Sequence, residues 1–272
     1  MTGDDALTAR NISRGLRTHH LGRSLDVRTT VGSTNDVALD ALGGPGAGAP
    51  HGHLVVADTQ TAGRGQRGRP WVSPPGVGIY ASVVLRSDRP LAAPTALVAA
   101  AGLGIAEGIE AAADVRVGIK WPNDLWIDGQ KVAGILVEAR GYRPDEPAVV
   151  AGFGIDVNQS VADFPPELLA VATSLRIATG HRHDRAAVLR AVLVALESRI
   201  DEVFARGATP ALHDAYRARS VLLGRRVGLI DGEEPLVGTV ADLSATDGLL
   251  LRTDDGAHRH VKAEHARDVR PV

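Results

Sequence analysis

Asp128-Gly129 stands between two short apolar runs, residues 125–127 and 131–137, and such a dipeptide calls for a two-residue turn that folds them into a hairpin. A strand pattern at 117–120 precedes the hairpin and another at 149–155 follows it, so the middle of the chain reads as a set of short strands. Upstream, Leu25, Val27, Thr29 and Val31 alternate as a strand does, and residues 54–57 and 78–85 read as buried strands. After Gly32-Ser33-Thr34-Asn35, the spacing of Val37, Ala38, Ala41 and Leu42 predicts a helix with Ser33 or Thr34 as its N-cap. Residues 43–50 form a Gly/Pro/Ala loop. Helices are expected over 91–113, with Leu97, Ala101, Ile105 and Ile109 on one face, and over 184–204 and 210–219. Residues 1–24 are polar and weakly patterned, with room for one short helix near 5–17. Beyond 221 the texture changes to short alternating runs broken by Asp231-Gly232, Asp247-Gly248 and Asp255-Gly256, the pattern of a small barrel.

The 272 residues are enough for one large domain, or one large and one small. With 30 Lys and Arg against 32 Asp and Glu, no overall basic field draws the chain to nucleic acid. Any phosphate chemistry must come from a local cluster of cations. The chain has no cysteine, which excludes disulfides, a thiol nucleophile and thiolate-bound zinc. No signal-peptide pattern is present and no segment reads as an unbroken membrane span, so the expected residence is cytoplasmic. The pairs His51/His53, His181/His183 and His258/His260 lie in expected loops, and no fixed metal site is assigned to them.

Three constellations carry chemistry. The first, Gln60-Thr61-Ala62-Gly63-Arg64-Gly65-Gln66-Arg67-Gly68-Arg69-Pro70-Trp71, contains G-x-G-x-x-G. A dinucleotide site needs a helix to begin there, and Pro70 with Pro74-Pro75 forbids one. What remains is a glycine-rich loop with three arginines, suited to closing over an anion or simply to lying in solvent. The second is Lys120-Trp121-Pro122-Asn123-Asp124 with Lys131 at the start of the next strand. Linked strands bring Lys120, Asp124 and Lys131 together, either as a phosphate-binding group or as a salt-bridged surface turn. The third is Gly152-Phe153-Gly154-Ile155-Asp156: glycine within a strand implies that something lies against the backbone, a flat ring such as adenine or a packed neighbouring element.

In order, Gly-Ser-Thr-Asn, Gln-Thr-Ala-Gly-Arg-Gly, Lys-Trp-Pro-Asn-Asp, Lys-Val-Ala-Gly-Ile-Leu-Val-Glu and Gly-Phe-Gly-Ile resemble the bacterial biotin–protein ligases, from about residue 31 to 158 and more loosely to the C-terminus. The resemblance implies an α+β fold: a mixed sheet with helices, like the core of class II aminoacyl-tRNA synthetases, over residues 25–220, then a small SH3-like barrel over 221–272, after a short N-terminal segment, 1–24. It implies an ATP-dependent, AMP-forming ligase that makes biotinyl-adenylate and transfers biotin to a lysine of a biotin carboxyl carrier domain of an acyl-CoA carboxylase. Magnesium is expected to arrive with ATP. Ser33, Thr34, Gln60, Gly63, Arg64, Lys131 and Gly134 are implied as biotin-binding residues. For ATP and the adenylate the implied residues are Arg64, Arg67, Arg69, Trp71, Lys120, Asn123, Lys131, Ile135, Gly154 and Asp156. Lys131, Arg64, Lys120 and Asp124 are the implied catalytic group.

Two positions depart from the family pattern: Gln66 stands where an arginine is common, and Asp156 where an asparagine is. An asparagine amide both donates and accepts, whereas an ionised aspartate only accepts. The alternatives are a lipoate or octanoate ligase of the same fold, and a ligase that is also a repressor. With about 24 residues ahead of the first strand, operator binding is not expected, nor is any partnership with nucleic acid or membrane.

Overall fold

The computed structural model describes residues 5–43, 48–88, 90, 95–140 and 148–272. The turn at Asp128-Gly129 forms as expected: both residues take positive φ, 47° and 83°, and join strands β5 (Asp124–Ile127) and β6 (Gln130–Glu138). These lie in a seven-stranded sheet with β1 (Leu25–Val31), β2 (Leu54–Gln60), β3 (Ile79–Arg86), β4 (Gly118–Lys120) and β7 (Ala148–Ile155), in the order β1-β2-β3-β7-β6-β5-β4. β1 and β2 are parallel and every other neighbouring pair is antiparallel, so the sheet is mixed. The expected loop at 43–50 falls partly, at 44–47, outside the described residues.

The helices are α1 (Ala9–Ser13), α2 (Thr34–Leu42), α3 (Thr95–Ala112), α4 (Leu175–Thr179), α5 (Arg185–Arg206) and α6 (Pro210–Ala218). Local chemistry sets their ends. The Asp184 side chain accepts from Ala187 N–H at the start of α5, and Thr209 accepts from Leu212 N–H ahead of Pro210 in α6. Ser33 occupies the cap position of α2 but makes no side-chain cap hydrogen bond. One reading of the sequence needs correction. α3 is apolar and long enough to cross a membrane by length and composition, with mean hydropathy 1.4. Its alanines and glycines make it apolar apart from Glu107 and Glu110, which pair with Arg199 and Arg219, and it is buried between the sheet and α5, with Leu97, Leu103, Ile105 and Ile109 in one core with Leu189, Leu193 and Leu196. Residues 91–94 of that expected helix lie outside the described residues. α4 had no clear periodicity to announce it.

The weakly patterned N-terminal segment is also part of this core. Leu7, Ile12, Leu16 and Leu21 are buried, and the Glu197 carboxylate on α5 accepts the backbone N–H groups of His19, His20 and Leu21 at 2.6, 2.7 and 2.8 Å. Towards the C-terminus, β8 (Arg226–Asp231), β9 (Glu234–Ser244), β10 (Gly248–Arg252), β11 (His258–Val261) and β12 (Ala266–Pro271) form a five-stranded antiparallel, SH3-like sheet, in the order β11-β10-β9-β8-β12. Its three Asp-Gly turns fall between successive strands, from β8 to β11.

Candidate active site

One face of β6 and β7 forms the floor of a cavity of about 310 Å³, walled by the start of α2, the arginine loop, the β4–β5 turn, residues 163–172 and the first half of β12. Pairing of Lys120 with Asp124 across β4 and β5, and of Asp124 with Gly134 across β5 and β6, gathers the second constellation. Lys131 Nζ lies 2.6 Å from Asp124 Oδ1, and Lys120 Nζ 3.8 Å from Asp124 Oδ2. Burial pushes the Lys120 ammonium below its ordinary pKa, helped by the charge of Lys131 and opposed by Asp124. Two positive groups thus share one carboxylate at the cavity wall and leave a net positive spot. The Asn123 amide donates to Ile135 O at 2.8 Å, which ties the β4–β5 turn to β6.

The same cavity is lined by a neutral polar group. Gln60 Oε1 accepts from Thr34 N–H at 2.8 Å and from Thr34 Oγ1 at 3.2 Å, and Gln60 Nε2 donates to Ser73 Oγ at 3.1 Å. Ser33 lies beside them, 3% exposed. Asn35 is placed more deeply: its Oδ1 accepts from Ser82 Oγ at 2.6 Å and its amide donates to Glu138 Oε2 at 2.7 Å. A Cβ on Gly152 would stand 1.8 Å from Asn35 Oδ1, so this strand glycine exists to admit Asn35. Asn35, Ser73, Ser82 and Glu138 were missing from the sequence reading. Asn35 and Glu138 stood inside quoted motifs and could have been found; Ser73 and Ser82 carried no signal.

The arginine loop folds back on itself, with Gly65 N–H donating to Arg69 O and Trp71 N–H to Gly63 O. Only a single 3-10 turn, Gln66–Gly68, forms within it, so no helix N-terminus offers itself to a pyrophosphate. Its three arginines go to different places. Arg64 forms a two-pronged pair with Asp36 at 2.6 Å on each prong and reaches Glu138 at 3.2 Å. Arg67 donates to Glu264 O at 3.0 Å, and Arg69 pairs with Asp268, so both meet the SH3-like sheet. Gly63 does not itself border the cavity; every other expected site residue does. The loop ends in Trp71, whose indole lies on the floor: a Cβ on Gly154 would come 2.5 Å from the ring. The flat ring against Gly154 is therefore the protein's own. Lys131 Nζ sits 5.1 Å from the Trp71 ring centroid.

Hydrogen bonds from Arg64 hold the Asp36 carboxyl below its ordinary pKa. That stabilisation is present above the usual carboxylate range and is lost as pH falls through the lowered value. Because the Asp36 side chain is 46% exposed, Asp36→Asn is expected to cost less than about 1 kcal/mol, read as a small drop in urea midpoint at pH 7 that shrinks in acid.

The carboxylates lining the cavity do not fit a dedicated magnesium site. Asp124 is taken by the lysines, Asp163 by Ser160 and Asp268 by Arg69, and burial raises Asp156 well above the ordinary carboxylate range. Among the described residues, no group of three or more His, Asp or Glu could hold a metal ion. Magnesium reaching this cavity would be held by phosphate oxygens and water.

Comparison with known proteins follows the same lines. The profile of the biotin/lipoate A/B protein ligase family matches residues 30–156. The chain is 36% identical over 260 residues to the Bifunctional ligase/repressor BirA of Bacillus subtilis (strain 168), covering 95% of this chain and 78% of that one. It is 36% identical over 262 residues to the Biotin--[acetyl-CoA-carboxylase] ligase of Mycobacterium tuberculosis, covering 92% of this chain and 93% of that one. Among solved structures it is similar to the biotin protein ligase from Aquifex aeolicus in complex with biotin and ATP, with a TM-score of 0.79 and 28% identity over 92% of this chain and 100% of that one.

Proposed function

This chain belongs to the biotin/lipoate A/B protein ligase family, and on that premise we propose that biotin and ATP react beside Lys131 and Lys120. The protein is a biotin–protein ligase: it activates biotin with ATP and passes it to a carrier protein. The observation that carries the site assignment is the Lys120–Asp124–Lys131 cluster, which lines one cavity together with the neutral Thr34–Gln60 group.

The chemistry follows from the charges. Biotin's carboxylate attacks the α-phosphorus, an anhydride bond forms, and pyrophosphate leaves with the electron pair of the broken P–O bond. Two anions must come within bonding distance, and fixed cations lower that barrier because they are already oriented. Lys131, held by Asp124, is the group proposed to steady the carboxylate and α-phosphate oxygens, and Lys120 supports it from β4. Thr34, Gln60 and Ser33 match the urea end of biotin with neutral donors and acceptors. Trp71 gives its ring system an apolar wall. In the second step the carrier's lysine amine attacks the acyl carbon and AMP departs. No protein nucleophile is needed; alignment supplies much of the rate. The arginine loop, tied down by Arg64 at one end, shields the adenylate from water.

Residues 25–220 are the proposed catalytic unit, and 221–272 a cap that meets the loop through Arg67 and Arg69. The proposed carrier is the biotin carboxyl carrier domain of an acyl-CoA carboxylase, and the proposed place of action is the cytoplasm. Incubation with ATP, magnesium, biotin and that domain should add one biotinyl group to a carrier lysine, seen by mass spectrometry. Equal labelling with lipoate or octanoate would overturn the choice of biotin.

A further inference from the structure

β4, the strand that carries Lys120, is only three residues long and stands at the end of the sheet. It pairs with β5 on one side. Along its other side run residues 219–221, the stretch that follows α6. Ile119 N–H donates to Arg219 O at 2.7 Å, and Val221 N–H donates to Ile119 O at 3.0 Å. Gly118 makes room for this approach, since a Cβ there would stand 2.3 Å from Val221 Cγ1. The Arg219 guanidinium reaches both carboxylate oxygens of Glu110 on α3, at 2.8 and 2.9 Å, and Glu110 also accepts Val117 N–H at 2.9 Å. The β4–β5 turn is held from two sides as well. Asn123 ties it to β6, and from α6 the hydroxyl of Tyr216, a side chain only 3% exposed, donates to Pro122 O at 3.3 Å. Burial raises the Tyr216 hydroxyl above its ordinary pKa, so it keeps its proton and remains a donor at neutral pH.

The lysine cluster does not hold itself together. Lys131 takes Asp124 Oδ1 at 2.6 Å, whereas Lys120 Nζ stays 3.8 Å from Asp124 Oδ2, too far for a hydrogen bond. Burial disfavours the charge on Lys120, and the positive charges of Lys131 and Arg69 repel it. Asp124 attracts it, and so does the Trp126 ring, whose centroid lies 5.1 Å from Nζ. A side chain under such opposed forces keeps its place only if its backbone does. A three-residue strand supplies few hydrogen bonds of its own, so the restraint must come from the segments packed around it.

The geometry points to Tyr216 as a positioning residue for the activation step: by holding Pro122 O it fixes the turn from which Lys120 reaches the reacting oxygens. The inference rests on the ligase reading of the cavity. Tyr216 is not among the residues that line the cavity, so it acts on the reactants only through Lys120. The Thr34–Gln60 group proposed for biotin belongs to α2 and β2 and does not depend on this turn. A small displacement of a preorganised charge therefore lowers the rate and leaves biotin binding as it was.

The experiment compares pyrophosphate release by the wild type, Tyr216→Phe, Lys120→Ala and the double variant. Tyr216→Phe keeps the ring and loses one hydrogen bond, so kcat should fall about threefold to tenfold with the KM for biotin unchanged. In the Lys120→Ala background the same change should cost less than about twofold, because the group it positions is gone. A second readout follows the lysine itself. The sequence contains three lysines, Lys120, Lys131 and Lys262, so selective labelling of the side-chain ε-carbon gives three resonances to titrate by NMR. In Tyr216→Phe the titration of Lys120 should move up towards the ordinary lysine value as the freed turn admits water, while that of Lys262 stays fixed. A wild-type kcat in Tyr216→Phe, an equal fall in both backgrounds, or an unmoved Lys120 titration would each overturn the inference. The ligase reading fails separately, if the Lys120 titration moves as described yet the wild type releases no pyrophosphate with biotin.

Discussion

Lys131→Ala is expected to reduce biotinyl-adenylate formation by about two to three orders of magnitude, the usual effect of removing one preorganised charge from a developing anionic centre. The side chain is 31% exposed and its contact with the floor is with Trp71 and Gly134, so little packing goes with it. Asp124 loses its 2.6 Å partner and keeps Lys120 at 3.8 Å, so the remaining cation is drawn to the carboxylate instead of the reactants. The variant should fold with a urea midpoint close to that of the wild type and should still bind biotin through the Thr34–Gln60 side. The loss should therefore fall on kcat of pyrophosphate release more than on the KM for biotin. Lys131→Arg should not restore the rate, because a planar guanidinium cannot place its charge where the compact ammonium of Lys131 stands 2.6 Å from Asp124 Oδ1. Pyrophosphate release by Lys131→Ala at the wild-type rate would refute the assigned role.

Gly154→Ala is expected to disable the site from the opposite direction, by overfilling it. The added methyl would sit 2.5 Å from Trp71 Cε2 and Nε1. The strand cannot yield, since β7 is hydrogen-bonded on both sides, with Gly154 paired to Tyr80 of β3 and Gly134 of β6. The indole must leave, and with it goes the wall proposed for biotin and the anchor of the arginine loop. Overpacking of this kind costs about 1–3 kcal/mol. It should appear as a lowered urea midpoint together with weakened biotin binding. The double variant Gly154→Ala/Trp71→Ala should recover the midpoint, since the clash is gone, but not the affinity. Biotin binding by Gly154→Ala equal to wild type would show that Trp71 takes no part in the site.

Much of the cavity was legible because its parts are written as local patterns. The Asp128-Gly129 turn set Lys131 on β6 beside Trp126, within reach of the Asp124 carboxylate, and the pairing of β4 with β5 then brought Lys120 to the same carboxylate. The glycines at 152 and 154 announced close approach, but a missing Cβ says only that something lies there. Asn35 and Trp71, far away in the chain, are what lie there. Likewise, three arginines among glycines read as one anion-binding device. The fold divides them: Arg64 goes to carboxylates on α2 and β6, while Arg67 and Arg69 go to groups near the C-terminus.

The succession of strands and of the helices other than α4, the turn that builds the lysine cluster and the family resemblance were contained in the sequence, because hydrophobic period, caps and turn residues act over a few positions. Burial and partnership depend on residues brought together from anywhere in the chain, so only the tertiary structure could decide them. It made a membrane-length apolar helix into the centre of the core. It gave the indole of Trp71 the place against Gly154. And it sealed Asp156 away from water, which raises its carboxyl well above the ordinary range.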